Sequence, residues 1–224
     1  MSERPLKIFV EGNMAVGKST FLQYLERRKN YNVVTEDISA WKCLKSVESE
    51  KTFNLLDLAY SNPEKHQFHF QQVVLMSRIK ALTKNLPQNS INFFERSILS
   101  NKHVFLKARN FDELDVTILN NWIDTLLDTI PGLVPDGIVY LRSKPTSCLS
   151  RMKSRARTEE TNVKLDYLAL IDKFYEKWLI EKEVQLHPKI VNVPILVLDF
   201  DKVSDEIFEE SLHKIEKFLA QLAN

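Results

Sequence analysis

Gly12-Asn13-Met14-Ala15-Val16-Gly17-Lys18-Ser19-Thr20 decides how the chain is read. The stretch fits G-x-x-x-x-G-K-[ST], the phosphate-binding loop. Its flanks agree: Lys7 to Val10 reads as a short apolar strand and Phe21 to Leu25 as the start of a helix. Gly12 and Gly17 let the backbone bend without a Cβ clash, so that several N–H groups converge on a polyphosphate. Lys18 brings a positive charge near the transferred group, Ser19 offers a hydroxyl to Mg²⁺, and the helix N-terminus adds its partial positive charge. The chain is therefore expected to bind ATP or another nucleoside triphosphate, with Mg²⁺.

Outward from the loop, strands alternate with helices. Val33-Val34, Ile91 to Phe94, Ile138 to Leu141 and Pro194 to Leu198 read as further strands. Helical spacing covers Leu44 to Tyr60, Glu64 to Leu86, Ile98 to Lys107, Asp112 to Ile130, Thr146 to Arg155, Leu165 to Leu186 and Asp205 to Leu222. Asp112 is a natural N-cap, and Pro131-Gly132 ends the helix that it starts. The alternation predicts an α/β fold: a parallel sheet covered by helices on both faces, with nucleotide at the carboxyl ends of the strands. No repeat, low-complexity segment or long linker interrupts the 224 residues, so a single domain over 1–224 is expected.

Composition narrows the partners. Hydrophobic residues make up 44% and charged residues 27%, which suits a globular chain with a real core. A net charge of +1 argues against nucleic acid or membrane binding through bulk charge. The two cysteines, Cys43 and Cys148, stand in no metal-ligand spacing and suggest a reducing compartment. No apolar run approaches the ~20 residues of a membrane span, and the first strand begins too early for a signal or transit peptide, so a cytoplasmic location is expected.

Several polar residues stand where such a sheet places its chemistry. Glu36 follows the second strand, where a carboxylate can take a proton from an acceptor hydroxyl. Glu95-Arg96 follows the third: the carboxylate suits Mg²⁺, and the arginine can steer the acceptor oxygen. Arg151, Arg155 and Arg157 form a basic group suited to the charge that develops in phosphoryl transfer. Glu159 and Glu160 follow at once, giving a short lid over about 151–161 that carries both signs. Phe68, Phe70, Phe105, Trp41 and Tyr60 can build an aromatic slot for a base.

With these residues in place, the chain resembles the cellular deoxynucleoside kinases almost end to end, from Lys7 to about Leu219. The matching motifs are Glu-Gly-Asn-Met-Ala-Val-Gly-Lys-Ser-Thr at 11–20, Val-Val-Thr-Glu at 33–36, Phe-His-Phe-Gln at 68–71, Phe-Phe-Glu-Arg-Ser at 93–97, and Arg151 through Glu160. The resemblance implies a P-loop kinase fold with a five-stranded parallel sheet, a homodimer and transfer of a phosphoryl group to the 5′-hydroxyl of a deoxynucleoside. It also implies roles. Glu36 resembles the general base, Arg96 the arginine on the acceptor oxygen, and Glu95 the carboxylate near Mg²⁺. Tyr60 and Glu160 match the pair that holds the sugar 3′-hydroxyl. Gln71 matches the reader of the base edge. Phe70 and Phe105 resemble the aromatics that sandwich the base, with Trp41 and Met14 as other walls. Arg151, Arg155 and Arg157 match the lid arginines.

The base pocket is a mixed case. Members that take deoxycytidine or deoxyguanosine carry an arginine and an aspartate there, and thymidine-accepting members replace both. Here Arg78 matches the arginine, but Asn101 stands at the aspartate and Val74 at an alanine of deoxycytidine-specific members. The retained arginine favours deoxycytidine or a purine deoxynucleoside over thymidine, with weaker discrimination because Asn101 is neutral. Two other readings stand beside this one: a nucleoside-monophosphate kinase of the thymidylate type, which would place Asp-Arg rather than Glu-Arg after the third strand, and a non-catalytic nucleotide-binding relative.

Overall fold

The computed structural model of the chain describes residues 4–29 and 31–222. β1 (Leu6–Gly12) runs into the phosphate loop and α1 (Lys18–Lys29) leaves it. Arg27, Arg28 and Lys29 fill the last turn of α1 and no acid occupies its first, so the helix dipole is left uncompensated toward the loop. β2 (Asn32–Val34) follows.

The next segment corrects the sequence reading. A helix was expected over Leu44 to Tyr60; the chain instead forms α2 (Ile38–Lys42), a hairpin of β3 (Leu44–Lys45) with β4 (Thr52–Phe53), and α3 (Leu55–Ser61). The cause is local side-chain competition with the backbone. Asp37 caps α2 through Ala40 N, and Asn54 caps α3 through Asp57 N. Between them the hydroxyls of Ser46 and Ser49 accept from Glu48 N and Lys51 N, which a continuous helix would need for itself.

α4 (Pro63–Leu82) starts on an Asn62 cap with proline in its first turn. β5 (Ile91–Glu95) leads to α5 (Ile98–Ser100), which widens into a π-helical turn at Asn101–Phe105 rather than continuing as α-helix. α6 (Glu113–Thr129) has the expected Asp112 cap. β6 (Gly137–Arg142) precedes α7 (Pro145–Arg155), which ends on the left-handed Ala156 and passes into a 3₁₀ turn at Thr158–Glu160. α8 (Leu165–Tyr175) is shorter than the expected Leu165 to Leu186. It relaxes into a π-helical turn at Glu176–Ile180, and left-handed Lys182 lets Glu183 N return to Lys177 O. β7 (Ile195–Asp199) and α9 (Asp205–Leu222) complete the described chain.

The main sheet runs β2-β5-β1-β6-β7, parallel throughout. Side chains alternate between two cores. Phe9, Phe94, Ile138 and Tyr140 meet α4, α6 and α8, whereas Ile8, Val10, Phe93, Val139 and Leu141 meet α1, α7 and α9. A third cluster, with Trp41, Leu56, Phe70 and Val74, ties α2 and α3 to α4 and builds a wall beyond the strand ends. β1, β2 and β5 therefore deliver Gly12, Glu36 and Glu95 to one edge of the sheet, the edge where open α/β folds bind ligands.

Gly12 is the tightest point of that edge. It sits at φ +144°, and a Cβ there would lie 2.5 Å from the Leu141 carbonyl oxygen, a backbone atom of the paired strand. Gly12→Ala should lower stability by about 2–3 kcal/mol, since it adds this clash to the cost of a disfavoured backbone conformation. Thermal unfolding should show a Tm lower by roughly 5–10 °C. A Tm within about 1 °C of wild type would mean that the strand pair yields at no cost.

Candidate active site

The phosphate loop is braced from behind. Asn13 Nδ2 donates to Leu168 O (2.9 Å), its Oδ1 accepts from Met14 N (2.8 Å), and Val16 is buried in the core. Gly17 lies at φ +114° and Ala15 at φ +55°, so the loop takes a left-handed step even at a residue other than glycine. Lys18 Nζ folds back on the loop carbonyls, to Asn13 O (2.8 Å) and Gly12 O (3.3 Å). Burial first, and then the Arg96 charge, push Lys18 down to about 7 against the pull of Glu95, Glu36 and Glu11. Ser19 and Thr20 are exposed on α1, and the Ser19 hydroxyl donates to both oxygens of Glu95 (2.9 and 3.1 Å).

Beside the loop lies a buried ionic cluster. Glu36 Oε1 accepts from Arg78 Nη2 at 2.5 Å, and its Oε2 lies 3.4 Å from Arg96 Nε. Burial alone would raise the Glu36 carboxyl, but Arg78, Arg96 and Lys18 together hold it below the usual carboxylate range. Arg96 Nη1 donates to Gly12 O (2.8 Å) and to Tyr175 Oη (2.5 Å); Tyr175 in turn donates to Glu11 (3.0 Å), which also accepts from Ser97 Oγ (2.6 Å). Desolvation raises the fully buried Glu11 above its ordinary value despite the nearby Arg96, Ser97 and Arg78.

A cavity of about 290 Å³ opens from Lys18 and Ser19 past Glu36 to the wall formed by α2, α3 and α4. The size suits a nucleoside. Met14, Ala15, Trp41, Tyr60, Phe70, Gln71, Val74, Arg78, Glu95, Arg96, Phe105, Arg155, Arg157 and Glu160 all line it. Trp41 meets Phe70 edge-on, with centroids 5.6 Å apart, and fixes itself by donating from Nε1 to Ser77 Oγ (3.1 Å). Phe105, carried in by the π-helical turn, lies under Arg96 (4.9 Å) and Arg78 (5.8 Å). Tyr60 Oη points at Met14 Sδ (3.8 Å), and Glu160 is buried between Arg155 and Arg157 (2.8 Å for the latter).

Not every residue singled out from the sequence reaches the cavity. Gly12, Asn13, Val16, Gly17 and Thr20 shape the loop without lining it. Asn101 sits behind Gln71 and Arg78. Arg151 turns to backbone oxygens: Val16 (3.2 Å), Phe200 (2.7 Å) and Asp201 (2.7 Å). Other residues were missed. Gln23, Thr35, Ile38 and Leu56 line the cavity, and Arg109 lies over the rings of Tyr167 (4.2 Å) and Tyr60 (5.6 Å). Glu11 carried a signal, a charge at the end of an apolar strand, and Thr35 adjoins Glu36; Ile38 carried none, because its helix was not foreseen, and Leu56 fell inside the expected helix of Leu44 to Tyr60, where its apolar spacing reads as core.

Phosphate loop, parallel sheet and an aromatic slot ending at a carboxylate define the class: a phosphotransferase of the P-loop kinase fold. The family model for deoxynucleoside kinases matches residues 8–223, and the chain belongs to that family. It is 33% identical to deoxycytidine kinase 2 of Gallus gallus, covering 97% of this chain and 91% of that protein. It is 31% identical to deoxycytidine kinase of Homo sapiens (96% and 92%) and 31% to mitochondrial deoxyguanosine kinase of Xenopus laevis (96% and 90%). The reaction is thus phosphoryl transfer from a nucleotide to a deoxynucleoside, and nothing in these relatives favours a monophosphate kinase. No helix among the described residues is long and apolar enough to cross a membrane.

The 3₁₀ turn after α7 is latched across the cavity. Glu159 Oε1 meets Lys42 Nζ at 2.7 Å and accepts from Asn54 Nδ2 at 3.1 Å. Burial would raise Glu159, but the hydrogen bonds from Lys42 and Asn54 hold it down at about 2. Glu159→Ala should release this latch at a cost of about 1 kcal/mol, the scale of a hydrogen-bonded pair. Amide exchange over residues 156–162 should then quicken roughly fivefold while the sheet is unaffected. Unchanged exchange would show that the turn is held by Glu160 alone.

Proposed function

We propose that the chain, as one domain, transfers the γ-phosphoryl group of ATP or another nucleoside triphosphate to the 5′-hydroxyl of a deoxynucleoside, with Mg²⁺. The observation that carries this is Glu36: a carboxylate kept ionised by two buried arginines, at the point where the cavity meets Lys18. The 5′-hydroxyl proton passes to Glu36, while Arg96 fixes the acceptor oxygen. A carboxylate held below its usual range is a weak base. That suits phosphoryl transfer through a loose transition state, in which orienting the hydroxyl matters more than early deprotonation.

The loop residues Gly12 to Thr20 cradle the phosphates, and Lys18, Arg155 and Arg157 face the transferring group. Arg151 serves from behind, tying Val16 to the end of β7. Ser19 and Glu95 form a pair of hard oxygen ligands suited to Mg²⁺, an ion that takes few protein ligands and completes its shell with phosphates and water. Bound there, Mg²⁺ would supply neutralising charge across the phosphates. Phe70 and Phe105 hold the base, Trp41 and Met14 close the slot, and Tyr60 with Glu160 holds the sugar.

Deoxycytidine or a purine deoxynucleoside is favoured over thymidine. The names of the relatives support this, as does Val74, which lines the cavity one turn from Gln71 and crowds a base bearing a 5-methyl group. Arg78 contributes indirectly, since its Nη atoms are engaged by Glu36, Ser97 O, Ser100 and Asn101.

Glu36→Gln should reduce the rate of the chemical step by ~10²–10⁴. Nucleoside affinity, measured by calorimetry, should stay within a few-fold. A variant retaining most of the wild-type rate would remove Glu36 from the chemistry. The protein is also expected to be a homodimer, because α6 exposes Leu114 (64%) and Trp122 (45%) to solvent. Light scattering should report twice the 26.2 kDa chain mass; a 26.2 kDa particle at micromolar concentration would refute the dimer.

A further inference from the structure

We propose that Asn101 is a positioning residue that sets the hydrogen-bond polarity with which Gln71 meets the base, so that Gln71 presents its donors there and the pocket gains little from an exocyclic amino group. The inference rests on reading the cavity as the nucleoside site.

The argument follows from which groups can donate. A guanidinium only donates. Arg78 is clamped on one side by Glu36 (2.5 Å) and on the other by Ser97 O (3.1 Å) and Ser100 Oγ (3.3 Å), so it cannot turn away. Its Nη1 donates to Asn101 Oδ1. Asn101 is 2% exposed, and a flip of its amide would set NH₂ against the guanidinium, two donors facing each other in a buried site. The Asn101 carbonyl is thus fixed toward Arg78, and its Nδ2 must point the other way. There it donates to Gln71 Oε1 at 2.8 Å. Gln71 in turn lines the cavity, and with its carbonyl taken from behind, its Nε2 is the group left for a ligand. No described residue accepts from that Nε2.

An aspartate at 101 would reverse the chain of orientations. Both of its oxygens accept, so Gln71 would turn its NH₂ toward position 101 and its carbonyl toward the base. That carbonyl would accept from an amino group. As the chain stands, Gln71 offers its NH₂ to a ring nitrogen or a carbonyl of the base, while its carbonyl is turned toward Asn101 Nδ2 and is the poorer acceptor for an amino hydrogen.

The test compares kcat/KM for 2′-deoxycytidine with that for pyrimidin-2-one 2′-deoxyriboside, which keeps the ring N3 acceptor and lacks the amino group. Wild type should prefer deoxycytidine by less than about fivefold, and Asn101→Asp should raise that preference at least about fivefold, the scale of one hydrogen bond. A general loss of stability or rate would lower both values and leave their ratio alone. A wild-type preference of fivefold or more, or a smaller rise in Asn101→Asp, overturns the inference; should that variant not fold, the wild-type ratio alone decides. Turnover of deoxynucleosides with the wrong ratio sinks only the role of Asn101. A wild-type protein that phosphorylates no deoxynucleoside overturns the functional reading, and this inference with it.

Discussion

Glu36 between Arg78 and Arg96 is the contact on which the rest of the site depends. Taking three charges out of water costs several kcal/mol per ion unless each is paired and hydrogen-bonded. Here the pairing is made across elements. Arg78 comes from α4, Arg96 from the end of β5, and Glu36 from the loop after β2. The same arginines reach Gly12 O in the phosphate loop, Tyr175 on α8 and Asn101 in the π-helical turn. Breaking one pair would strand a buried charge, at about 3–5 kcal/mol. The cluster therefore fixes the distance between phosphate loop, carboxylate and aromatic slot by making any other distance expensive.

The backbone shows how firmly this is held. Arg96 lies at φ +66°, a conformation that side chains other than glycine rarely adopt. It persists because both ends of the residue are tied: its N donates to Val10 O (2.9 Å) and its guanidinium to Gly12 O and Tyr175. Turning the chain at this residue brings the arginine back over the strand ends instead of out to solvent. Strain of this kind gathers at sites that the surrounding fold over-determines. The π-helical turn at Asn101–Phe105 is a second local irregularity with the same consequence, because it carries both Asn101 and Phe105 to the cluster.

These features explain what the sequence could and could not show. The loop at Gly12 to Thr20, the apolar strands and the carboxylates just beyond them were legible, because each is encoded by neighbours in the chain. The region between Leu44 and Tyr60 was not: its apolar spacing suits a helix, and the outcome turns on Ser46, Ser49 and Asn54 competing for backbone N–H groups. Arg151 was legible as a cation but not by its target, which is backbone brought from Val16 and Phe200. Asn101 was visible as a departure at one position. Its direction was not, because that is imposed by Arg78, and the fixing of Arg78 depends in turn on Glu36, far away in the sequence.

The site divides its cations into two kinds. Arg78, Arg96, Arg155 and Arg157 already face protein carboxylates, whereas Lys18 donates only to neutral carbonyls. A phosphate arriving at Lys18 meets a cation with no ion pair to break, and its negative charge opposes the burial that drives the lysine down to about 7. A phosphate reaching Arg155 or Arg157 must instead compete with Glu160, whose side chain is 4% exposed. The charge of Glu160 also reaches Tyr60, whose phenol is raised first by burial and then by Tyr167 and Glu160. Whatever draws the two arginines toward an anion leaves Glu160 with less positive charge beside it and makes it a stronger acceptor for a hydroxyl on the cavity side. With the roles proposed above, Glu160 is the one carboxylate of the lid that both the phosphate-facing arginines and the sugar-facing side of the cavity would share.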